Sequence, residues 1–284
     1  MDSVDAHSRD PMDLALYLLD EGFLYQFQNC DNCGSDLNLE YFNHLGDGVV
    51  WRCSNQRCRW RGSIRRDSFF AASNLPLLTQ IRLIISFAAD SSVSSTAKLF
   101  HVARSSVTVY FIECRRMYEA VLVQHPISFS GPGEYEVDEL IIERVEVEPG
   151  IFADVWVQSI LERRNGRVYL HRLENRTRPQ MVPPIQLRVP AGSVVFTDEH
   201  RSYSNLRTLG YHHATVNHSA REYQRRGIVA GLQRNIHINT CEGVNNLIRR
   251  RLSFKTRRTL DYIDLILSEV MYRKSGRSLF DPFK

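Results

Sequence analysis

Four cysteines in two close pairs constrain the first third of the chain more than any other feature. Two residues separate Cys30 from Cys33, four separate Cys53 from Cys58, and nineteen lie between the pairs. Each short pair can wrap a tight turn around an ion, so the four thiolates can converge on one tetrahedral Zn²⁺. Ligation by cysteine alone is typical of a closed structural site. Two disulfides are the alternative, and we favour zinc because no export signal accompanies the pairs.

The composition limits the classes of protein that fit. The chain has 284 residues, of which 43% are hydrophobic, and this suffices for a sizeable core and for two or three domains. Its apolar runs are too short for a membrane span, and the acidic N-terminus does not fit a signal peptide. We therefore expect a protein of a reducing compartment.

The charges are unevenly distributed along the chain. Between Arg201 and Arg258 there are 12 Lys and Arg residues and 2 acids, whereas the formal net charge of the whole chain is only +4. A basic segment in an otherwise acidic chain indicates a polyanionic partner on one face. A solvated helix surface is the alternative interpretation of the charge taken alone.

Residues 75–122 carry apolar residues at helical spacing in three stretches. A short connection joins the last two stretches, so they form a candidate helix-turn-helix. In this motif we expect Ser105 or Ser106 to cap a recognition helix whose first residues, together with Arg104, lie against a DNA groove. Three helices that only pack together are the alternative.

Three acids in the second half of the chain occupy informative places. Asp138 lies within a predicted strand, Asp198 ends a later apolar strand, and Glu242 lies near the start of a predicted helix over residues 240–251. If the two strands pair, the two aspartates lie side by side and the glutamate can reach the same point. Close carboxylates repel unless cations lie between them, and their hard oxygen atoms suit Mg²⁺ or Mn²⁺. Two such ions support in-line phosphoryl transfer.

The predicted strands and helices indicate an α/β fold. Two β-rich runs flank Asn165 and Gly166, the preferred pair for a two-residue hairpin turn. Together with the other strands they predict a mixed sheet with helices packed against it. Taken singly, each acid has a plainer interpretation, with Asp198 capping a turn, Glu242 on a helix surface and Asp138 protecting a sheet edge.

Three sequence blocks resemble the catalytic blocks of the Merlin-type DDE transposases and of their bacterial ISXO2-like relatives. The blocks are "EVDE", "TDEHRSYSNL" and "HINTCEGVNNLIRRRL". They place Asp138, Asp198 and Glu242 at the three catalytic acids, and His237 and Asn239 at the "H-x-N" that precedes the third. The chain departs from these relatives after the third acid, where it has Val244, Asn245 and Asn246 instead of an early aromatic residue, and at Arg249, where the bacterial relatives usually have Lys.

The resemblance implies a fold, a domain order and an activity. Asp10, Pro11 and Gly22 predict a helix within an N-terminal segment over residues 1–26. After it, the resemblance implies a zinc ribbon over 27–70, a helix-turn-helix segment over 71–128 and a ribonuclease H-like catalytic domain over 129–284. The implied activity is cut-and-paste DNA transposition, in which two metal ions at the three acids support cleavage of the terminal inverted repeats and joining of the 3′-hydroxyls to target DNA. A dimer or larger assembly on paired DNA ends is implied as well.

Other residues have roles that follow from their chemistry. His237 is a candidate for contact with the scissile phosphate or for proton transfer, and Asn239 is a candidate helix cap. A basic run after the third acid is suited to holding a DNA backbone, and it also fits a nuclear import signal, so we expect a nuclear protein if the host is eukaryotic and a cytoplasmic or nucleoid protein otherwise. The DNA-binding candidates in this run are Arg249, Arg250, Arg251, Lys255, Arg257 and Arg258.

Two other functions remain open at this point. A host-recruited DNA-binding protein would keep the zinc ribbon and the helix-turn-helix without catalysis. A ribonuclease H-like nuclease would cleave DNA without joining strands. A transposase cleaves DNA when metal is present, whereas the DNA-binding protein does not. A transposase also joins the cleaved strands to other DNA, whereas the nuclease does not.

Overall fold

The computed structural model describes residues 6–7, 9–217, 220, 222–253 and 258–284. For Ser253 and Arg258 it describes the backbone alone. The chain forms two compact units. The first contains the described residues up to Met117 together with Ser278–Lys284, and the second contains Tyr118–Arg277. The four-part division expected from the sequence is finer than this and remains a prediction.

The first unit begins with a short helix and a small sheet. Helix α1 (Pro11–Asp20) is capped by Asp10, whose carboxylate accepts the N–H groups of Met12 and Asp13. The sheet is an antiparallel meander in which β2 is the central strand. Its strands are β1 (Leu37–Tyr41), β2 (Val49–Cys53) and β3 (Arg61–Ser63).

Three helices follow β3 and confirm the predicted helical segment, and the last of them ends in the second unit. They are α2 (Leu77–Ala88), α3 (Val93–Phe100) and α4 (Arg104–Gln124). The turn between α3 and α4 is three residues long and starts at His101, which adopts the left-handed conformation with φ 52°. No helix in the described part of the chain is both long and apolar enough to cross a membrane.

The predicted cap of the recognition helix is wrong in detail. Helix α4 begins at Arg104, so Ser105 and Ser106 lie inside its first turn. The first intrahelical bond runs from the N–H of Val107 to the carbonyl of Ala103. Both serines and Arg104 are nevertheless exposed, as a surface that contacts DNA requires.

The second unit is built on a mixed sheet. Its main strands are β4 (Glu134–Glu148), β5 (Ile151–Glu162), β6 (Val168–Leu173), β7 (Val194–Asp198) and β8 (His212–Val216). The strand order is β6-β5-β4-β7-β8, with β4, β5 and β6 antiparallel and with β4, β7 and β8 parallel. A two-residue strand, β11 (Arg258–Thr259), extends the sheet beside β4. This arrangement confirms the predicted α/β fold class with a mixed sheet.

Helices cover both faces of the sheet. On one face, α6 (Asn239–Ser253) and α7 (Leu260–Arg273) pack against Leu140 and Ile142 of β4. On the other face, α5 (Arg178–Arg188) packs against Tyr135 and Val137. Since alternate residues of a strand face opposite sides, β4 contributes side chains to both cores. It is therefore buried on both faces, and an edge-strand role for Asp138 is excluded.

Three features differ from the sequence prediction or were missed by it. Five residues, 163–167, lie between β5 and β6, and among them Gly166 has φ 73° whereas Asn165 has no positive φ, so the predicted two-residue turn is wrong. Helix α5 was missed because Pro183 and Pro184 lie inside it. A hairpin of β9 (Gln224–Val229) and β10 (Leu232–His237) between β8 and α6 was missed as well.

We predict that Glu269→Ala destabilises the second unit strongly. Glu269 is fully buried on α7 and accepts bonds from Arg251 and Arg273, each at 2.8 Å. Removing one partner of a buried ion pair costs about 3–5 kcal/mol. The measurement is urea unfolding followed by circular dichroism.

The matched control is Asp264→Ala, which breaks the exposed pair between Arg172 and Asp264. An exposed pair contributes at most about 1 kcal/mol. Equal losses in the two variants would contradict the assignment of a structural role to Glu269.

Candidate metal and catalytic site

The four predicted zinc ligands converge in the first unit. The Sγ atoms of Cys30, Cys33, Cys53 and Cys58 lie within 4.8 Å of one another, and all four are free thiols. The Cys33–Cys53 and Cys30–Cys58 sulfur atoms are 3.4 and 3.8 Å apart. Tetrahedral Zn–S bonds of about 2.3 Å require sulfur separations of about 3.8 Å. The donor set and its geometry therefore fit a structural Zn²⁺.

The surroundings of the cysteines support the same interpretation. The side-chain amide of Asn32 donates to Cys58 Sγ at 3.2 Å. Hydrogen bonds from Ser35 lower the pKa of the Cys33 thiol to about 6, whereas burial raises that of Cys53 to about 12. A cation between the sulfurs would favour the thiolate form of all four. The other two cysteines, Cys114 and Cys241, are buried in helices.

Strand pairing places the first two predicted catalytic acids at the same level of the second unit. In the parallel pair of β4 and β7, Glu134 aligns with Val194 and Glu136 with Phe196. The same offset, extended two residues along both strands, aligns Asp138 with Asp198. Because registered residues of parallel strands share a face, this alignment places both aspartates on the same face of the sheet.

A buried glutamate fixes the helix that carries the third acid. Glu136 is fully buried, and its carboxylate accepts the backbone N–H groups of Thr240 and Cys241 at 2.9 and 3.0 Å. A carboxylate at this end of a helix satisfies unpaired N–H groups and interacts favourably with the helix dipole. Arg163 pairs with Glu136 at 2.7 Å and binds the carbonyl of His237. These contacts fix the first turn of α6, where Glu242 lies.

Asn245, one turn after Glu242, connects α6 directly to the first acid. Its amide donates to Asp138 Oδ2 at 2.8 Å, and its Oδ1 accepts the hydroxyl of Ser159 at 2.7 Å. Ser159 is the residue opposite Asp138 on β5. Asn245 therefore supplies a hydrogen bond to a candidate catalytic residue.

The three acids share one electrostatic environment. Burial, followed by the negative charges of Glu139, Asp198 and Glu242, raises the pKa of Asp138 to about 7. Among the described residues, the cysteines form the one set of three or more candidate ligands whose atoms all lie within 4.8 Å of one another, so the three acids do not all lie that close together. Their oxygen donors and mutual repulsion fit hard divalent cations, whose binding would draw the carboxylates together.

A further carboxylate lies on the other side of β4. The side chain of Glu139 is almost fully buried, accepts the hydroxyl of Tyr203, and pairs with Arg176 at 2.8 Å. The same Nη2 of Arg176 lies 3.7 Å from Asp198 Oδ2, while Asp198 Oδ1 accepts the backbone N–H of His200 at 2.9 Å. Arg176 therefore offsets part of the negative charge around Asp198.

The predicted catalytic histidine lies beside the helix start. His237 Nδ1 is 3.3 Å from Glu136 Oε1, but without hydrogen-bond geometry. Burial and then the charge of Arg163 lower the pKa of His237, which favours the neutral imidazole. Asn239 is the first residue of α6, and at this helix start the carboxylate of Glu136 accepts the N–H groups of Thr240 and Cys241.

The basic run divides into residues with different environments. Arg249 and Arg250 are exposed on α6, whereas Arg251 is bound to Glu269 and is mostly buried. Lys255 and Arg257 lie outside the described residues, and only the backbone of Arg258 is described. An exposed position is compatible with phosphate contact, while Arg251 has a structural partner.

We predict that the purified chain contains one zinc ion and that Cys53→Ser abolishes its binding. Loss of a ligand from a closed site removes the free energy that metal binding contributes to folding, so the first unit should unfold at lower temperature. Elemental analysis and thermal unfolding measure the two effects. Cys114→Ala, a buried cysteine outside the cluster, should keep the metal, and unchanged zinc content in Cys53→Ser would contradict the site.

We predict that Asp138→Asn stabilises the chain at pH 8 when no divalent ion is added. Between its ordinary pKa of 3.8 and about 7, folded Asp138 retains a proton that the unfolded chain releases. Stability therefore falls as the pH rises through this window and levels off above it. The neutral variant avoids this loss, so it should be more stable than the unaltered chain by about 1–4 kcal/mol at pH 8 and equally stable near pH 4.

Urea unfolding at both pH values measures this difference. Glu148→Gln, an exposed change at the far end of the same strand, serves as the control and should show no such pH dependence. A stability difference between Asp138→Asn and the unaltered chain that is the same at both pH values would contradict the crowding of the acids.

One family model matches the second unit. Residues 148–275 match the ISXO2-like transposase domain. The matched segment spans less than half of the chain, includes Asp198 and Glu242, and begins after Asp138. No curated protein is significantly similar to this sequence.

Three solved structures show a distant likeness. The simian T-cell lymphotropic virus intasome in complex with PP2A regulatory subunit B56 gamma is 13% identical, with 62% of this chain and 67% of that chain covered and a TM-score of 0.32. A pre-cleavage Mos1 transpososome and a Mos1 transposase paired-end complex with the left transposon end are each 12% identical, with 72% and 79% covered and TM-scores of 0.22 and 0.23. At these TM-scores the likeness carries no argument about function.

The family match agrees with the sequence blocks on which the resemblance rests. Two of the three blocks, those with Asp198 and Glu242, lie within the matched segment. Over residues 148–275 the chain is therefore similar to the ISXO2-like transposase domain, and the resemblance predicted from the sequence is confirmed there.

Proposed function

We propose that the chain is a DNA transposase that works by the cut-and-paste route. The observation that carries the proposal is geometric: β4 pairs in parallel with β7, the strand that ends at Asp198, and Asn245 binds Asp138 from the helix that carries Glu242. Burial and the neighbouring acids raise the pKa of Asp138 in agreement with this arrangement. Such crowding disfavours the ionised form unless cations are present, and perturbed carboxylates cluster at functional sites. The similarity of residues 148–275 to a transposase domain supports the same function.

Asp138, Asp198 and Glu242 would hold the divalent ions. Bound Mg²⁺ or Mn²⁺ would supply activation of a water or a 3′-hydroxyl and stabilisation of the leaving oxygen. The chain's own residues fix the carboxylates, because Asn245 donates to Asp138 and the N–H of His200 donates to Asp198. This hydrogen bonding limits the rearrangement needed when ions and substrate bind.

DNA contacts in the proposal come from exposed basic and polar residues. Arg249 and Arg250 extend from the helix that carries Glu242 and are suited to phosphate contact. Arg104, Ser105 and Ser106 are the corresponding candidates on α4. The proposal further includes assembly of two or more copies on paired terminal repeats, kinship with the Merlin-type group, and a nuclear location in a eukaryotic host.

We predict that Asp138→Asn or Asp198→Asn removes Mg²⁺-dependent cleavage of transposon-end DNA. Loss of a carboxylate that holds catalytic ions should lower the cleavage rate by about a thousandfold or more, since positioned charge accounts for several kcal/mol of the barrier. The measurement is cleavage and strand joining of labelled end duplexes, with Glu148→Gln as a matched control that keeps activity.

Outcomes of this assay separate the candidate functions. Cleavage with joined products supports a transposase, and cleavage without joining favours a nuclease. DNA binding without cleavage at any Mg²⁺ or Mn²⁺ concentration would favour a DNA-binding protein without catalysis. Unimpaired cleavage by Asp138→Asn would exclude the proposed site.

A further inference from the structure

The hairpin of β9 and β10 is held to the second unit by one of its two faces. Ile236 is buried and Val229 packs beside it in the same core cluster. Arg225 donates to the carbonyl of Thr215 at 3.2 and 3.1 Å, and Arg234 donates to Glu134. These contacts fix the inner face of the hairpin against β8 and β4.

The opposite face of the hairpin points into solvent. Its cross-strand pairs place Ile228 beside Gln233 and Arg226 beside Asn235. Ile228 is 81% exposed, and Gln224 at the start of β9 is exposed as well. Within the described part of the chain, the side chains of the four polar residues of this face make no hydrogen bond or ion pair. We call this set, Gln224, Arg226, Ile228, Gln233 and Asn235, the outer face.

The charge and chemistry of the hairpin point to nucleic acid. Residues 224–237 contain three arginines and no acid. A two-stranded β-ribbon fits the major groove of DNA, which is about 12 Å wide. In that groove, amide side chains pair with adenine, arginine pairs with guanine, and apolar groups contact the thymine methyl. The outer face carries all three kinds of group.

The position of the hairpin relates it to the carboxylate site. Strand β10 ends at His237, and after Ile238 the chain enters α6, which contains Glu242. Glu136 holds this junction through the N–H groups of Thr240 and Cys241. DNA bound along the outer face would therefore lead toward the acids.

We propose that the outer face reads base edges in the major groove of the DNA next to the reacting phosphodiester. This inference rests on the proposed function and extends it, because it assigns sequence discrimination to the catalytic domain as well as to the helix-turn-helix. A second copy of this chain is the competing occupant, since Ile228 is exposed. The positive charge of Arg226 and the exposed amides of this face favour DNA.

The test is a selection from DNA duplexes with 30 randomised base pairs, carried out with the full chain in Mg²⁺-free buffer. Bound duplexes are sequenced for the unaltered chain, Gln233→Ala and Asn235→Ala. Gln186→Ala is the matched control, because it removes an exposed amide on α5, which packs on the far face of the sheet. All the altered side chains are exposed, so the fold should be kept, and thermal unfolding checks this.

We expect each hairpin variant to lose about tenfold discrimination at one or two adjacent base pairs, as loss of a two-bond base contact does. The remainder of the selected motif should persist, and affinity for unselected duplex should change less than about twofold. The proposal is overturned if the hairpin variants select the same motif as the unaltered chain, or if the unaltered chain selects none. The proposal is also overturned if Ile228→Asp converts an oligomer into a monomer, measured as a lower solution mass, while the selected DNA motif stays unchanged. In that case the outer face binds a second copy of the chain.

The selection needs no cleavage, so the two proposals can fail separately. A chain that never cleaves DNA but loses base discrimination in Gln233→Ala would refute the transposase and keep the DNA-reading hairpin. A chain that cleaves DNA through Asp138 but selects the same motif with or without Gln233 would keep the transposase and refute the DNA-reading hairpin.

Discussion

The parallel pairing of β4 with β7 is the constraint on which the second unit depends. It brings Asp138 and Asp198, sixty residues apart, to neighbouring positions on two central strands. A shift of one residue would turn one of the two carboxylates to the opposite face of the sheet. Burial on both faces opposes such a shift, because Tyr135, Val137, Leu140 and the other apolar residues of β4 would then exchange cores.

Glu136 extends this constraint to the helix that carries the third acid. It lies two residues before Asp138 and on the same face, and its carboxylate holds the start of α6. The position of Glu242 is therefore coupled to β4 through a buried carboxylate and not only through apolar packing. Such a buried charge is tolerated because Arg163, Thr240 and the helix N–H groups satisfy it.

The charges around Asp138 and Asp198 fit a site that binds metal ions, because crowded carboxylates repel one another when no cation is bound. Asp138 has a raised pKa, while Arg176 binds Glu139 and lies near Asp198. Repulsion among carboxylates reduces the stability of the folded chain at neutral pH, and divalent ions would remove it. Lower stability of this kind is what we expect if the proposed site is functional.

Much of this organisation could be predicted from the sequence, for identifiable reasons. The cysteine spacing predicted the sulfur cluster, and the pairing of β4 with β7 is the condition under which the sequence predicts neighbouring aspartates. The partners of these groups could not be predicted, because Glu136, Asn245 and Arg176 act across 104, 107 and 37 residues. Hairpin β9–β10 was missed since its turn uses Ala230 and Gly231, both with positive φ, in place of the usual Asn-Gly.

The most direct test of the account is a crystal of the chain soaked in Mn²⁺, with the anomalous scattering of manganese used to locate the ions. The account predicts anomalous peaks coordinated by Asp138 and Asp198, with Glu242 as a further ligand. Crystals at high Mn²⁺ concentration with no peak at these carboxylates, or with Arg176 still paired to Glu139 and the ions bound elsewhere, would contradict it.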